Sequence, residues 1–113
     1  MDNLMTVAFE AHNSEKNHHR RYQITISRDL LDDWTVAIRY GRTGQGGQEK
    51  RFASPKAEDM RQVISERLRR RLSATRRIGC AYRLTSLDMT EGFDSAAWLP
   101  GEVMARFFKS ATG

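Results

Sequence analysis

The segment 41–47 is a candidate ligand-binding loop, because four of its seven residues are glycines. Glycine-rich loops cradle phosphate groups when they end in Gly-Lys-Ser or Gly-Lys-Thr and lead into a helix. This segment has neither that ending nor a helical pattern after it. Its glycines allow the positive φ angles of a tight reversal, so we predict a hairpin turn rather than a phosphate-binding loop.

The other residue types that could do chemistry are scattered along the chain. They are His12, His18, His19, Cys80 and the pair Asp32-Asp33. Adjacent histidines point apart in an extended chain, and one cysteine without carboxylate neighbours does not supply a zinc site. The cysteine fits a small buried residue on a strand, and the two aspartates fit a turn. We therefore predict no catalytic residue, no metal and no cofactor, and a non-enzymatic function.

Positive charge is concentrated in one stretch of the chain. The net charge is +5, but between Arg61 and Arg83 eight arginines stand against the single acid Glu66, so this stretch carries +7 and the remainder −2. Such a cluster favours polyanions, because arginine pairs well with phosphate and binding releases counterions. It equally fits a solvated helix whose basic end suits the helix dipole. Charge alone leaves both interpretations open.

Length and composition indicate one small soluble unit. Dividing 113 residues would leave halves too small to bury a stable core. No apolar run approaches the roughly 18 residues of a membrane-spanning helix, and the N-terminus lacks the pattern of a signal peptide. One cysteine cannot form an internal disulfide. These features predict a cytoplasmic protein that does not bind a membrane.

Alternation of apolar and polar residues predicts five strands. The apolar positions are Met5, Val7 and Phe9; Tyr22, Ile24 and Ile26; Trp34, Val36, Ile38 and Tyr40; Phe52 within residues 48–53; and Cys80, Tyr82 and Leu84. The polar residues 12–21 are predicted to form an exposed loop between the first two strands.

One long helix is predicted after the fourth strand. Ser54 and Pro55 suit the N-cap and the first helical position, and arginines accumulate at the far end, as the helix dipole favours. The helix should span about residues 55–75 and bury one stripe at four-residue spacing. That stripe is predicted at Met60, Ile64 and Leu68.

These elements predict an α+β fold, an antiparallel sheet of about five strands with one long helix packed across it, plus a short C-terminal helix. Residues 1–85 would form the main domain and residues 86–113 a C-terminal extension. The extension carries the apolar residues Trp98, Leu99, Val103, Phe107 and Phe108. They predict a helix over about residues 100–109 that either covers the sheet or forms a surface for a protein partner or a second copy.

The segment from Trp34 to Gly44 closely resembles the core of the WGR domain, a family named for a Trp-Gly-Arg run at the end of a central strand. Here the triplet is Tyr40-Gly41-Arg42. The surroundings agree with the family as well, and the resemblance covers about residues 4–85. The matching features are Arg21-Tyr22, Leu30-Leu31-Asp32-Asp33, Gly46-Gly47, Lys50-Arg51-Phe52, Ser54-Pro55 and the arginine-rich helix end. The chain looks most like short bacterial proteins that contain little besides this domain.

The resemblance implies a role at DNA. In poly(ADP-ribose) polymerases the module contacts DNA near a break, with the aromatic residue of the triplet against the sugar-phosphate end and basic residues on phosphates. Carried over, Tyr40 takes the aromatic role and Arg42 the arginine role. Tyrosine departs from the family's tryptophan, and its smaller ring puts end recognition in doubt more than the fold. The chain is too short to hold the transferase domain, so ADP-ribosylation is not implied.

We therefore predict a nucleic-acid-binding module, with DNA favoured over RNA and strand ends or nicks as candidate targets. The predicted binding residues are Arg39, Tyr40, Gly41, Arg42, Lys50 and Arg51 in one patch, and Arg69, Arg70, Arg71, Arg76 and Arg77 in another. Two alternatives stay open: Tyr40 could be packed in the core, and Arg42 could pair with Asp32 or Asp33. The alternative function is a protein adaptor or dimerisation module that uses Trp98, Phe107 and Phe108.

Overall fold

The computed structural model describes residues 3–73 and 81–112, with side chains through residue 106. Its strands are β1 (Asn3–Asn13), β2 (His18–Arg28), β3 (Trp34–Arg42), β4 (Gln48–Ser54) and β5 (Arg83–Met89), and its helices are α1 (Ala57–Leu72), α2 (Ser95–Trp98) and α3 (Gly101–Thr112). The strands form one antiparallel sheet in the order β4-β3-β2-β1-β5. The predicted α+β class and five-stranded antiparallel sheet are confirmed.

The core lies between one face of the sheet and α1. Tyr22, Ile24 and Ile26 of β2 are buried at every second position, as the alternation predicted. On α1 the predicted stripe is buried as well, since Met60, Ile64 and Leu68 are at most 4% exposed. Both α2 and α3 contact α1, so the helices lie together on this side of the sheet. We call it the helix side and the opposite face the open face.

The prediction of one long helix plus one short C-terminal helix is wrong. Helix α1 has 16 residues and begins at Ala57, and the tail holds two helices. Ser54 is the last residue of β4, and its hydroxyl donates to the Asp59 carboxylate at 2.7 Å while accepting the Lys56 N–H at 3.1 Å. Ser54 therefore ends β4, and its hydrogen bonds stabilise the first turn of α1 although Ser54 is not part of the helix. The predicted helix end near residue 75 lies outside the described residues.

The predicted loop over residues 12–21 is also wrong, because β1 and β2 continue through most of it. His12 pairs with His19 in the ladder, and only residues 14–17 form the turn. This part of the hairpin projects past the core, where side chains on both faces meet water. Backbone hydrogen bonds maintain the ladder there without the apolar alternation that marks a half-buried strand.

The last strand comes later than predicted. Cys80 lies outside the described residues, Tyr82 precedes the strand, and β5 runs from Arg83 to Met89 along β1. Most side chains of this edge strand are exposed, so no alternation marked it. A register irregularity between Ala8 and Phe9 of β1 also shifts the pairing of β5 with β1. The strand spans the predicted boundary after residue 85, and the division into two units stays a prediction.

The tail packs against its own chain. Trp98 is 3% exposed, with ring centroids 5.1 Å from Trp34 and 6.1 Å from Phe93, and the Arg61 guanidinium covers it at 5.1 Å. Val103 of α3 is buried in the same core. This is the first of the two predicted arrangements for the tail. Trp98 is thus enclosed, and the partner surface proposed at Phe107 and Phe108 stays a prediction, because those side chains lie outside the described part.

Within the described ranges, no helix combines the length and the apolar character needed to cross a membrane.

Candidate nucleic-acid interface

Two glycines fix the turn between β3 and β4. A Cβ atom on Gly41 would lie 2.8 Å from the Cα of Gly47, and one on Gly47 would lie 2.5 Å from the Tyr40 carbonyl oxygen. Gly47 also has φ +68°, in the left-handed region that favours glycine. The backbones of the two strands therefore approach closely at the Tyr40-Gly41-Arg42 triplet. Residues 43–47 form the turn, within the segment 41–47 for which a hairpin turn was predicted.

Tyr40 is half-buried at the edge of the core. Its ring lies 6.5 Å from that of Tyr22, the residue directly opposite on β2. Its hydroxyl donates a hydrogen bond to Oε1 of Gln48 at 2.9 Å. The ring is thus packed on one side and partly accessible on the other, between the two alternatives that the sequence left open.

Arg42 is held by the neighbouring hairpin. Its Nη1 and Nη2 donate to the backbone oxygen and Oδ1 of Asn17, at 2.9 and 3.0 Å. Asp32, one of its predicted partners, instead forms an ion pair with Arg28 at 2.8 Å. Because Asn17 is neutral, this contact orients the Arg42 guanidinium without compensating its charge.

The basic residues of β3 and β4 lie on opposite faces of the sheet. Lys50 pairs with Ile38, whose side chain is buried on the helix side, whereas Arg51 pairs with Ala37. Arg51 contacts Glu49 at 2.9 Å, and Arg39 lies 4.0 Å from the same carboxylate, so these residues share the open face. The patch that the sequence predicted over residues 39–42, 50 and 51 is therefore divided between the two faces of the sheet.

Arginines of α1 reach the aromatic residues beside the triplet. The Arg71 guanidinium lies 4.6 Å from the Tyr22 ring centroid, and that of Arg67 lies 5.3 Å from Phe52. Burial raises the pKa of Tyr22 to about 12, while the nearby positive charges of Arg71, Arg67 and Arg70 act in the opposite direction. The C-terminal turns of α1 therefore bring positive charge close to Tyr22, which is paired with Tyr40.

Arg69 differs from its neighbours on α1. Its Nη2 forms an ion pair at 3.0 Å with Glu102 of α3. Arg69 therefore links α1 to the tail rather than pointing toward the triplet. Arg76 and Arg77, the other predicted members of this patch, lie outside the described residues.

One basic surface results from this arrangement, and we call it the helix-side surface. It comprises Arg20, Tyr40, Arg42, Lys50, Arg67, Arg70 and Arg71. Sequence reasoning missed Arg20, which lies opposite Arg42 in the ladder. The β2 alternation, extended two residues back from Tyr22, could have found it. Asn17 was missed as well, because a contact between two turns leaves no sequence signal.

The three histidines lie in the β1–β2 hairpin. His12 and His19 face each other across the β1–β2 ladder with their Nδ1 atoms 2.9 Å apart, and Nε2 of His12 lies 2.9 Å from Glu10. Among the residues that the structure describes, no cluster of three or more His, Cys, Asp or Glu side chains could hold a metal ion.

The sheet, the triplet at its hairpin and the basic helix across it define a small α+β domain. The sequence profile of the WGR domain matches residues 5–75, well over half of the chain, and includes the triplet and α1. The chain therefore belongs to the WGR domain family, a family of non-catalytic domains. No curated protein sequence matches it significantly.

Proposed function

We propose that this WGR domain is a non-enzymatic module that binds nucleic acid, DNA in the first place, through the helix-side surface. The observation that carries the proposal is the convergence of Tyr40, Arg42 and three arginines of α1, Arg67, Arg70 and Arg71, at one end of one face. Tyr22 and Arg71, which are 49 positions apart in the sequence, meet there, and all the charged members of the surface carry the same sign.

The contacts of Arg42, Arg67 and Arg71 leave their charges available to phosphates. Arg42 is bonded to the neutral Asn17, while Arg67 and Arg71 lie over the rings of Phe52 and Tyr22. Neutral partners orient a guanidinium without cancelling its field. A phosphate backbone that approaches this face meets several oriented cations, and release of its counterions drives binding.

Tyr40 suits an aromatic contact beside those cations. Its hydroxyl is bonded to Gln48 and its ring rests on the core, so little rotamer freedom is lost on binding. An accessible ring edge at this position can pack against a sugar or an unpaired base. The preference for DNA, and for ends or nicks, rests on the resemblance to the WGR modules of poly(ADP-ribose) polymerases.

The test compares four DNA molecules by fluorescence anisotropy at two salt concentrations. They are a closed circular duplex, a nicked circle, and blunt linear duplexes with and without 5′-phosphates. We expect binding to all four that weakens steeply with salt, and tighter binding to the nicked and linear forms. Equal affinity for closed and broken duplexes would remove the end preference. Absence of saturable binding at low salt would overturn the proposed function itself.

A further inference from the structure

Strand β5 forms an uncovered edge of the sheet. β1 pairs with one side of it, and no strand of the described chain pairs with the other. Six of its seven residues are exposed, among them the large apolar residues Leu87, at 37%, and Met89, at 43%. An edge strand presents unpaired backbone N–H and C=O groups, and an apolar one readily pairs with another chain.

The leucines of β5 share one face of the sheet. Leu84 lies opposite Phe9 of β1, and Leu87 lies opposite Val7. Residues directly opposite each other in an antiparallel pair lie on the same face, and both β1 residues are buried in the core. Leu84 and Leu87 therefore lie on the helix side. Leu87 remains exposed there although α3 also contacts β5.

A β-bulge explains how two leucines three positions apart come to share a face. Leu84 and Ser86 lie opposite two successive residues of β1, so Thr85 is an extra residue in β5. In a regular strand, residues three positions apart lie on opposite faces. The extra residue shifts the alternation by one position and returns Leu87 to the face of Leu84.

This shift makes β5 complementary to a second copy of itself. In an antiparallel pair of two β5 strands that places Thr85 opposite Ser86, Leu84 of each copy lies opposite Leu87 of the other. The two leucines share a face only because of the bulge, so this register joins the helix side of one sheet to the helix side of the other. A bulge often turns an edge strand away from a partner, but here it aligns the faces.

The charges of β5 match in the same register. Arg83 of each copy lies opposite Asp88 of the other. Both side chains lie on the open face, since they are opposite Glu10 and Thr6 of β1. Neither forms an ion pair with a described residue of its own chain. Two-fold symmetry therefore supplies two new pairs of opposite charge and two leucine pairs at once.

We propose that β5 is the interface of a homodimer in which five strands from each copy form one continuous antiparallel sheet. A second copy is the occupant because the leucines and the charges of β5 complement each other within the same seven residues. The opposite edge of the sheet is protected, since β4 carries the consecutive charges Glu49, Lys50 and Arg51. Association therefore closes at two copies, with both helix-side surfaces on the same side of the joint sheet.

Sedimentation equilibrium of the full chain over a range of concentrations tests the proposal. We expect the mass to rise with concentration from 13.0 kDa toward twice that value. Leu87→Lys places charges at the centre of the interface and should raise the dimer dissociation constant by about 100-fold or more. Leu30→Lys is the matched control, because Leu30 is 95% exposed in the β2–β3 turn and its replacement should change the constant by no more than about twofold.

An exchange of charges separates pairing from a general loss of structure. Arg83→Asp and Asp88→Arg each place like charges opposite one another twice in the dimer, so each should raise the dissociation constant by about tenfold. The double variant restores opposite charges and should return the constant to within about threefold of the original chain. Arg51→Asp, the same change on the other edge, should leave dimerisation unaffected.

Three results would overturn the proposal. One is a mass that stays at 13.0 kDa up to about 1 mM protein. Another is a dimer that neither Leu87→Lys nor the single charge reversals weaken, because its interface then lies elsewhere. The third is growth beyond two copies, which would show that both edges associate. Since no nucleic acid is present in this experiment, its outcome is independent of the function proposed above.

Discussion

Arg42 and Asn17 join the two hairpins at one end of the sheet. The guanidinium of Arg42 donates to both the backbone oxygen and Oδ1 of Asn17, at 2.9 and 3.0 Å. The Thr43 N–H donates to the carbonyl oxygen of His19 at 2.8 Å and supports the same junction. Asn17 has φ 55°, a conformation that asparagine tolerates better than most residues. The junction therefore sets the direction in which the triplet arginine presents its remaining donors.

Replacing Arg42 should weaken nucleic-acid binding without unfolding the domain. We expect Arg42→Ala to lose about 1–3 kcal/mol of binding free energy, the range for a charge-assisted phosphate contact. Asn17→Ala should lose less than Arg42→Ala, because the charge remains and only its orientation is relaxed. Anisotropy titrations with melting curves measure both effects. Unchanged affinity of Arg42→Ala, at an unchanged melting temperature, would exclude Arg42 from the interface.

Gly47 should tolerate no side chain. Gly47→Ala places a Cβ atom 2.5 Å from a backbone oxygen and forces φ +68° on alanine, so we expect a loss of about 1–3 kcal/mol or more in unfolding free energy. Gly46→Ala is the matched control, because nothing lies within 4 Å of its Cβ position and its φ is not positive. Urea denaturation compares the two. Equal stability of both variants would contradict the close approach at the triplet.

Ionisation of Tyr22 should lower the stability of the domain at alkaline pH. Burial raises the pKa of Tyr22 from 10.0 to about 12 in the folded state, so between these values the unfolded chain releases a proton that the folded chain keeps. The contribution of neutral Tyr22 to the free energy of unfolding is complete below pH 10. It is lost as the pH rises through 12, by about 2–3 kcal/mol in all. Tyr22→Phe lacks this loss and keeps the ring under Arg71. Parallel stability curves for the two chains from pH 10 to 12 would refute the assignment.

Phenylalanine at position 22 should not destabilise the domain at neutral pH. The Tyr22 hydroxyl is buried and has no hydrogen-bond partner in the part of the chain that the structure describes. Removing an unsatisfied buried hydroxyl is neutral or stabilising. The pH comparison therefore starts from two folded proteins.

Trp98 should be part of the fold rather than a docking residue. The ring is buried against Trp34 and Phe93, so Trp98→Ala should cost about 3–5 kcal/mol of unfolding free energy. Leu30→Ala is the control, because Leu30 is 95% exposed and its loss should change stability by less than about 0.5 kcal/mol. Denaturation curves measure both. A similar small change in the two variants would show that the tail is not packed.

The sequence predicted secondary structure well where one face of an element is buried and the other is exposed to solvent. The interior strands β2 and β3 and the stripe of Ile64 and Leu68 were predicted because burial imposes a period on their apolar residues. The ends of β1 and β2, and most of β5, lie where both faces are exposed. No such period exists there, so their bounds were misplaced.

The sequence supplied candidate residues for the site but not their arrangement, and their role in binding stays a prediction. The resemblance supplied Tyr40 and Arg42, and charge supplied the arginines of α1. Only the ladder shows that neighbouring Lys50 and Arg51 belong to different faces. Only the packing of α1 shows that Arg71 reaches Tyr22, the residue paired with Tyr40, because this contact joins residues far apart in sequence.

The placement of Lys50 and Arg51 on opposite faces of the sheet permits the most direct test of the proposed interface. Lys50 and Arg51 are adjacent, exposed and of equal charge, but Lys50 lies on the helix side and Arg51 on the open face. Lys50→Glu and Arg51→Glu make the same charge change, so any general effect of net charge on duplex binding is common to both. Dissociation constants for one blunt duplex lacking 5′-phosphates, measured at about 0.1 M salt, compare them.

If the helix-side surface binds nucleic acid, Lys50→Glu weakens binding by about tenfold or more, while Arg51→Glu changes it by no more than about threefold. Equal losses, or a greater loss in Arg51→Glu, would contradict the assignment of the interface to this face.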